Sequence, residues 1–213
     1  MNEALQTVIQ KRMERTAQAL RGNNMDAYCV ATAAEVPALA ASLMHEGETV
    51  AVGGSATLDE CGVMELLRAG RYNFLDRYAP GLAPQEVEDI YRRAFFADTF
   101  LASANAVTEA GEIFNVDGNS NRIAAIAFGP KSVILVVGYN KLVRDLDEAE
   151  TRLEAIAAPA NAIRLHKKTP CVQTGVCAHC KSPDRICCTY MVMRQQRVPG
   201  RVKVILVGES LGF

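Results

Sequence analysis

A chain of 213 residues, 49% apolar and 22% charged, has the balance of an ordinary globular protein and the length for one sizeable core. A net charge of −1 argues against a general nucleic-acid binder. No stretch reaches the roughly 18 to 20 uninterrupted apolar residues of a membrane span, and the N-terminus lacks the apolar block of a signal peptide, so a cytoplasmic protein without membrane attachment is expected.

Residues 2–21 place Leu5, Val8, Ile9, Met13, Ala17 and Leu20 at helical spacing, closed by "GNN". "MDAYCVA" then predicts a strand, and "TAAE" at 32–35 a capping box opening a helix that ends near Gly47. "TVAVGG" predicts a second strand, and "SATLDECGVMELLRAG" the loop and helix after it. "YNFLD" predicts a strand, "PQEVEDIYRRAFFA" a helix with Pro84 in its first turn, and "DTFLASANAV" another strand. "TEAGEIFNVDG" predicts a hairpin turning at Gly111, "NRIAAIAFGP" a short helix, "KSVILVVGYN" a buried strand, "LDEAETRLEAIAAP" a helix and "RVKVILVGES" a last strand.

Strands alternating with helices, apolar on both faces, predict an α/β fold: a mostly parallel, Rossmann-like sheet with helices on both faces. Ligands bind such sheets at the carboxyl ends of the strands, which directs attention to the polar residues there. Gly53 and Gly54 let a ligand approach the backbone, and Ser55 or Thr57 can cap the next helix; a plain glycine turn with an N-cap serine explains the same residues. In "NVDGNSNR", Asp117, Asn119, Asn121 and Arg122 crowd one loop, where Arg122 can take a carboxylate or phosphate and the amides can orient it. An Asp–Gly turn with an asparagine cap explains Asp117, Gly118 and at most Asn119, not the whole group together with Arg122. Lys141 adds a second positive charge past a buried strand, with Asn105 close by. Asp117 and Glu109 are the candidate bases or nucleophiles, although Glu109 reads equally as an exposed hairpin residue.

Five of the seven cysteines fall in residues 171–188, at Cys171, Cys177, Cys180, Cys187 and Cys188. The spacing C-x5-C-x2-C-x6-C-C differs from the ferredoxin run, but Cys177-x2-Cys180 reads as a metal knuckle that a second pair completes to four sulfurs, with His166 and His179 available for mixed ligation. Redox-active thiols, activated by Lys181 and Arg185, are the alternative, and unreactive reduced cysteines a third. Cys29 and Cys61 read as buried packing residues. Residues 164–203 carry nine Lys or Arg against Asp184 alone, a charge of +8 that leaves −9 elsewhere. Such a segment favours thiolates, a thiolate–metal centre and anionic ligands.

The stretches "GGSATLDECGV", "FLASANAVTEAGEIFNVDGNSNRIAAIAFGPKSVILVVGYNKLV", "AAPANAIRL", "KTPCVQTGVCAHCKSPDRICC" and "VKVILVGESLGF" together resemble the LUD-domain family, the lactate-utilisation protein C-like proteins. The resemblance implies one LUD-type domain over 1–213, with a cysteine-rich flap at 166–190, and a fold like that of glucosamine-6-phosphate deaminase, ribose-5-phosphate isomerase and the CoA transferases. Together with the cysteine spacing and the basic surroundings, it points to a redox accessory role of lactate-utilisation type, in which the cleft binds a small anion and the cysteines hold an iron–sulfur cluster or zinc. The partner would be an iron–sulfur protein or dehydrogenase, and a homodimer is compatible. A cluster-free isomerase or transferase and a zinc-ribbon interaction module are the competing readings. The segment's lack of aromatic residues other than Tyr190 argues against base stacking.

Overall fold

Residues 132–138 alternate between two cores: Val133, Leu135 and Val137 pack in one, Ile134 and Val136 in the other. A strand with both faces covered belongs in the middle of a parallel sheet. In the computed structural model, which describes residues 2–213, that strand is the third of six. The sheet order is β1 (Asp26–Val30), β10 (Val202–Val207), β7 (Ser132–Gly138), β4 (Thr99–Ala102), β2 (Thr49–Val52) and β3 (Asn73–Leu75), and every neighbouring pair is parallel.

One face is covered by α1 (Glu3–Gly22), which buries Ile9, Met13, Ala17 and Leu20, and by Ala125 and Ile126 of α6 (Asn121–Ala127). Asn2 caps α1, its Oδ1 accepting from the N–H of Ala4 at 2.8 Å. The other face carries Val36 and Ala40 of α2 (Val36–Ser42), Leu58 of α3 (Ala56–Glu60) and Val63, Met64 and Leu67 of α4 (Val63–Arg68). The capping box forms at Thr32, whose N–H donates to Glu35 Oε1 at 2.8 Å, but it opens a 3-10 turn before α2, which stops at Ser42. The helix expected after Gly54 is two helices, because Gly62 takes a left-handed φ of 74° between them.

The strand expected over 98–107 also divides. β4 ends at Ala102, and after a turn the chain enters a second sheet of order β8 (Leu142–Val143), β5 (Ala106–Thr108), β6 (Ile113–Asp117) and β9 (Thr189–Met193). β5 and β6 form the predicted hairpin, turning at Gly111 with φ 79°. A Cβ there would also lie 2.7 Å from the backbone of Ala19 and Leu20, so this sheet is seated on the end of α1. Its outer face packs on α7 (Leu146–Arg152), a π-helical turn at Leu153–Ala157 and Ala158 of α8 (Ala158–Arg164). Among the described residues no helix is long and apolar enough to cross a membrane.

The chain runs from β2 outward to β3 at the sheet edge, through α5 (Pro84–Arg93), and returns to β4 on the other side of β2. The carboxyl ends of β2 and β4 therefore flank the point where the winding reverses, the position at which open α/β sheets leave a crevice.

Candidate functional site

A cavity of about 440 Å³ opens at that crevice. β2 leads into Gly54 and Ser55, β4 into Ser103 to Asn105, and the end of β6, the loop after it and the first turn of α6 deliver Asp117, Asn119, Asn121 and Arg122. Lys141 follows β7, Arg77 follows β3, Asn161 and Arg164 come from α8, and Asp184, Arg185 and Ile186 close the far wall.

Arg122 is held inside this floor, not presented from it. Its Nε donates to Asp117 Oδ1 at 2.9 Å, one Nη to Ser103 O and Asn115 Oδ1 at 2.9 Å each, and the other to Asn105 Oδ1 at 2.8 Å and Val116 O at 2.9 Å. All five N–H groups are thus taken by protein acceptors. Asp117 is equally committed, since its Oδ2 accepts from the N–H of Ile123 at 2.8 Å. Gly53 lies behind this network: a Cβ on it would meet Arg122 Cγ and Cδ at 2.9 Å. The expected anion clamp and general base are therefore bonded to one another, and they organise the loop that carries Asn119 and Asn121. Those two amides make no side-chain hydrogen bond among the described residues and both line the cavity.

Glu109 is elsewhere. It pairs with Arg12 at 2.7 Å and Arg15 at 3.8 Å on α1 and does not line the cavity. Lys141 is where the sequence put it but is buried to 3% exposure. Its Nζ donates to Thr57 Oγ1 at 2.7 Å and Ser103 Oγ at 3.0 Å. Burial without a counter-ion, with Arg152 and Arg122 adding repulsion against weaker attraction from Glu60 and Cys61, brings its pKa down to about 7.

Arg77 and Arg164 were not singled out from the sequence, and Arg185 was read there only as an activator of the thiols. Arg77 stacks between Tyr78 and Tyr91, its guanidinium 4.7 and 5.0 Å from their ring centres. Arg164 is held by Asn161 Oδ1 at 2.7 Å, and Arg185 donates to Cys187 O at 2.8 Å and Cys180 O at 2.9 Å. Among the described residues none of these, nor Lys141, forms an ion pair. Arg77 follows a strand's carboxyl end, the rule that selected the other loops, and Arg164 and Arg185 lie in the +8 segment. Six cationic side chains face two acidic ones, Asp117 and Asp184, across the lining.

A second, small cavity of about 20 Å³ lies behind Arg185 and is lined by Cys171, Cys177, Cys180 and Cys187. The sequence had grouped Cys188 with these, but it is exposed and does not line this cavity, its backbone N–H donating to Asp117 O at 3.0 Å. All seven cysteines are free thiols. Burial raises the pKa of Cys187, and Arg185 offsets part of that rise. Cys61 is buried in the core as expected, whereas Cys29 is exposed on the edge strand β1. The segment is fixed by its exit into β9, which pairs antiparallel with β6 and sets Thr189 opposite Asp117. Gly118 permits the approach, since a Cβ there would lie 3.3 Å from the Cα of Ile186.

A metal fits the donor set in kind. Four thiols share one cavity, while Glu154, Cys177 and His179 form the only trio of possible ligands within 4.8 Å of one another among the described residues. No three of the thiol sulfurs therefore lie mutually within 4.8 Å, against the roughly 3.8 Å between thiolates around one zinc. The space between them has room for about one water-sized particle. Zinc would draw the sulfurs inward, and an iron–sulfur cluster would press the segment outward.

The LUD-domain family model matches residues 13–207. This chain belongs to the LUD-domain family. The match runs through both cavities of this LUD protein and all ten strands of the described fold, β10 ending at Val207. No curated protein matches the LUD chain. Its fold is similar to the crystal structure of a DUF162 family protein from Deinococcus radiodurans, 17% identical, with a TM-score of 0.48 over 95% of this chain and 98% of that one. It is more distantly similar to that of eIF2B beta from Chaetomium thermophilum, 15% identical, with a TM-score of 0.37 over 55% of this chain and 41% of the other. Neither likeness contributes to the assignment, which rests on the family match.

Proposed function

We propose that this LUD protein is a lactate-utilisation-type redox accessory protein, binding a small anion in the large cavity beside a metal centre held by Cys171, Cys177, Cys180 and Cys187. The observation that carries the reading is the shared wall: Arg185 and Ile186 line both cavities. Arg77, Arg164 and Arg185, lacking carboxylate partners, supply the charge for a carboxylate or phosphate, and Asn119 and Asn121 supply directional donors. The carbonyls of Cys180 and Cys187 aim the Arg185 guanidinium, so the thiol segment sets the position of one anion contact. An iron–sulfur cluster in the thiol cage would supply one-electron chemistry next to the bound anion, with a partner iron–sulfur protein or dehydrogenase as the other carrier. Zinc would supply a fixed segment only.

The test is purification without oxygen, followed by the visible spectrum and the iron, zinc and acid-labile sulfide content. Iron and sulfide in proportion, with broad visible absorbance, support the redox reading. Zinc keeps the metal centre and removes the electron-transfer role. Protein holding neither, with all thiols titrating as free, overturns both.

A further inference from the structure

Among the described residues, Lys141 is the one cation of the large cavity that the fold buries without a carboxylate partner. Its two hydrogen-bond partners are hydroxyl groups, and both have somewhere else to send their own hydrogen. Thr57 Oγ1 donates to Leu211 O at 3.3 Å, and Ser103 Oγ reaches Ala104 O at 3.4 Å. Each hydroxyl oxygen is thereby left to accept from Nζ. A neutral amine has two hydrogens and one lone pair. The hydroxyls of Thr57 and Ser103 take the two hydrogens, and the lone pair is the part of Nζ without a protein partner.

This arrangement differs from that of the other cavity cations. Arg77 and Arg164 keep their charge near solvent, where hydration supports it, and Arg122 shares a buried pair with Asp117. Lys141 has neither support, and an isolated ammonium at that depth is unfavourable. Lysines relieved of their charge by burial and cationic neighbours are the ones that act as carbonyl nucleophiles.

We propose that Lys141 is a nucleophilic amine that forms an imine with the carbonyl carbon of a small 2-oxo acid. The class follows from the two chemistries that meet in the cavity: an amine that takes a carbonyl, and arginines that take the adjoining carboxylate. The proposal rests on the anion-binding reading of the large cavity and is independent of the metal centre. In the step, the Nζ lone pair attacks the carbonyl carbon and the C=O π pair moves to oxygen. Both Nζ hydrogens pass in turn to that oxygen, the C–O bond breaks, and water leaves as C=N forms. Nothing is oxidised or reduced, and the hydroxyl of Ser103 is placed to carry a hydrogen between the two atoms.

The experiment treats the full chain with pyruvate or glyoxylate and sodium cyanoborohydride, which reduces an imine to a stable amine, and maps the adduct by peptide mass. The expected result is one adduct per chain on Lys141, formed roughly tenfold faster than on any surface lysine. It should be suppressed by excess inorganic phosphate and absent from Lys141→Arg. Labelling spread over the six other lysines with no preference for Lys141 overturns the proposal, and the wild-type map gives that answer even if the variant does not fold. Calorimetry with inorganic phosphate on the same protein separates the two readings. Phosphate bound without a Lys141 adduct sinks the nucleophile and leaves the anion cavity standing, whereas neither signal sinks both.

Discussion

Asp117 uses both oxygens of its carboxylate: Oδ1 accepts from the Arg122 guanidinium at 2.9 Å, while Oδ2 accepts from the backbone N–H of Ile123 in the first turn of α6. The pair is 10% and 12% exposed at its side chains, so its charges see little water. Removing one partner leaves the other buried and unpaired. Asp117→Asn should cost about 3 kcal/mol of stability, read as a lower urea midpoint at unchanged slope. A midpoint within error of the wild type would mean that the carbonyls of Ser103 and Val116 hold Arg122 unaided.

Gly53 owes its identity to the same arginine. Gly53→Ala would drive a methyl group into Arg122 Cγ and Cδ and should cost about 1–3 kcal/mol. Gly22, the last residue of α1, has nothing within 4 Å of an added Cβ, and Gly22→Ala should stabilise by about 0.4–1 kcal/mol. Thermal unfolding of the two variants should therefore shift in opposite directions. Equal shifts would remove the steric argument.

Within the cysteine segment the structure separates four thiols from the fifth. Cys180→Ser should lose most of the metal that copurifies anaerobically, while Cys188→Ser should retain it, because Cys188 is exposed and does not line the thiol cavity. Metal analysis of the two proteins decides this. Loss in Cys188→Ser alone would move the centre to the other side of the segment.

Lys141 makes stability depend on pH in a known direction. Its amine is neutral in the fold above a pKa of about 7 and stays charged in the unfolded chain up to an ordinary value of 10.5. Between those values the unfolded chain holds the extra proton, so its contribution raises stability with pH, at up to about 1.4 kcal/mol per pH unit, and below pH 7 gives no such gain. Denaturant midpoints across this range should climb less steeply in Lys141→Met than in the wild type. Parallel curves would place the titration elsewhere.

Much of this was legible in the residues, for identifiable reasons. The run "SVILVVG" is apolar at every position that two packed faces require, and it lies at the middle of the parallel sheet. The crowding of Asp117, Asn119, Asn121 and Arg122 marked the cavity loop. Orientation was not legible, because Arg122 turns inward to acceptors up to 19 positions away, at Ser103, and Glu109 finds Arg12 at a separation of 97. The second sheet escaped notice since β8 has two residues and β9 alternates only weakly in burial. Pairing between such strands is set by tertiary contacts, not by their own pattern.

The π-helical turn at Leu153–Ala157 works as a phase shifter in the α7–α8 rod. A wide turn of this kind holds one residue more than the regular helix and rotates everything after it by about 100° about the axis. Its last residue, Ala157, borders the anion cavity, and downstream of it Ala158 borders the thiol cavity, with Asn161 and Arg164 returning to the first. One rod can thus serve two chambers, and a single-residue deletion there would swing both amide and guanidinium out of reach while leaving the helix itself intact.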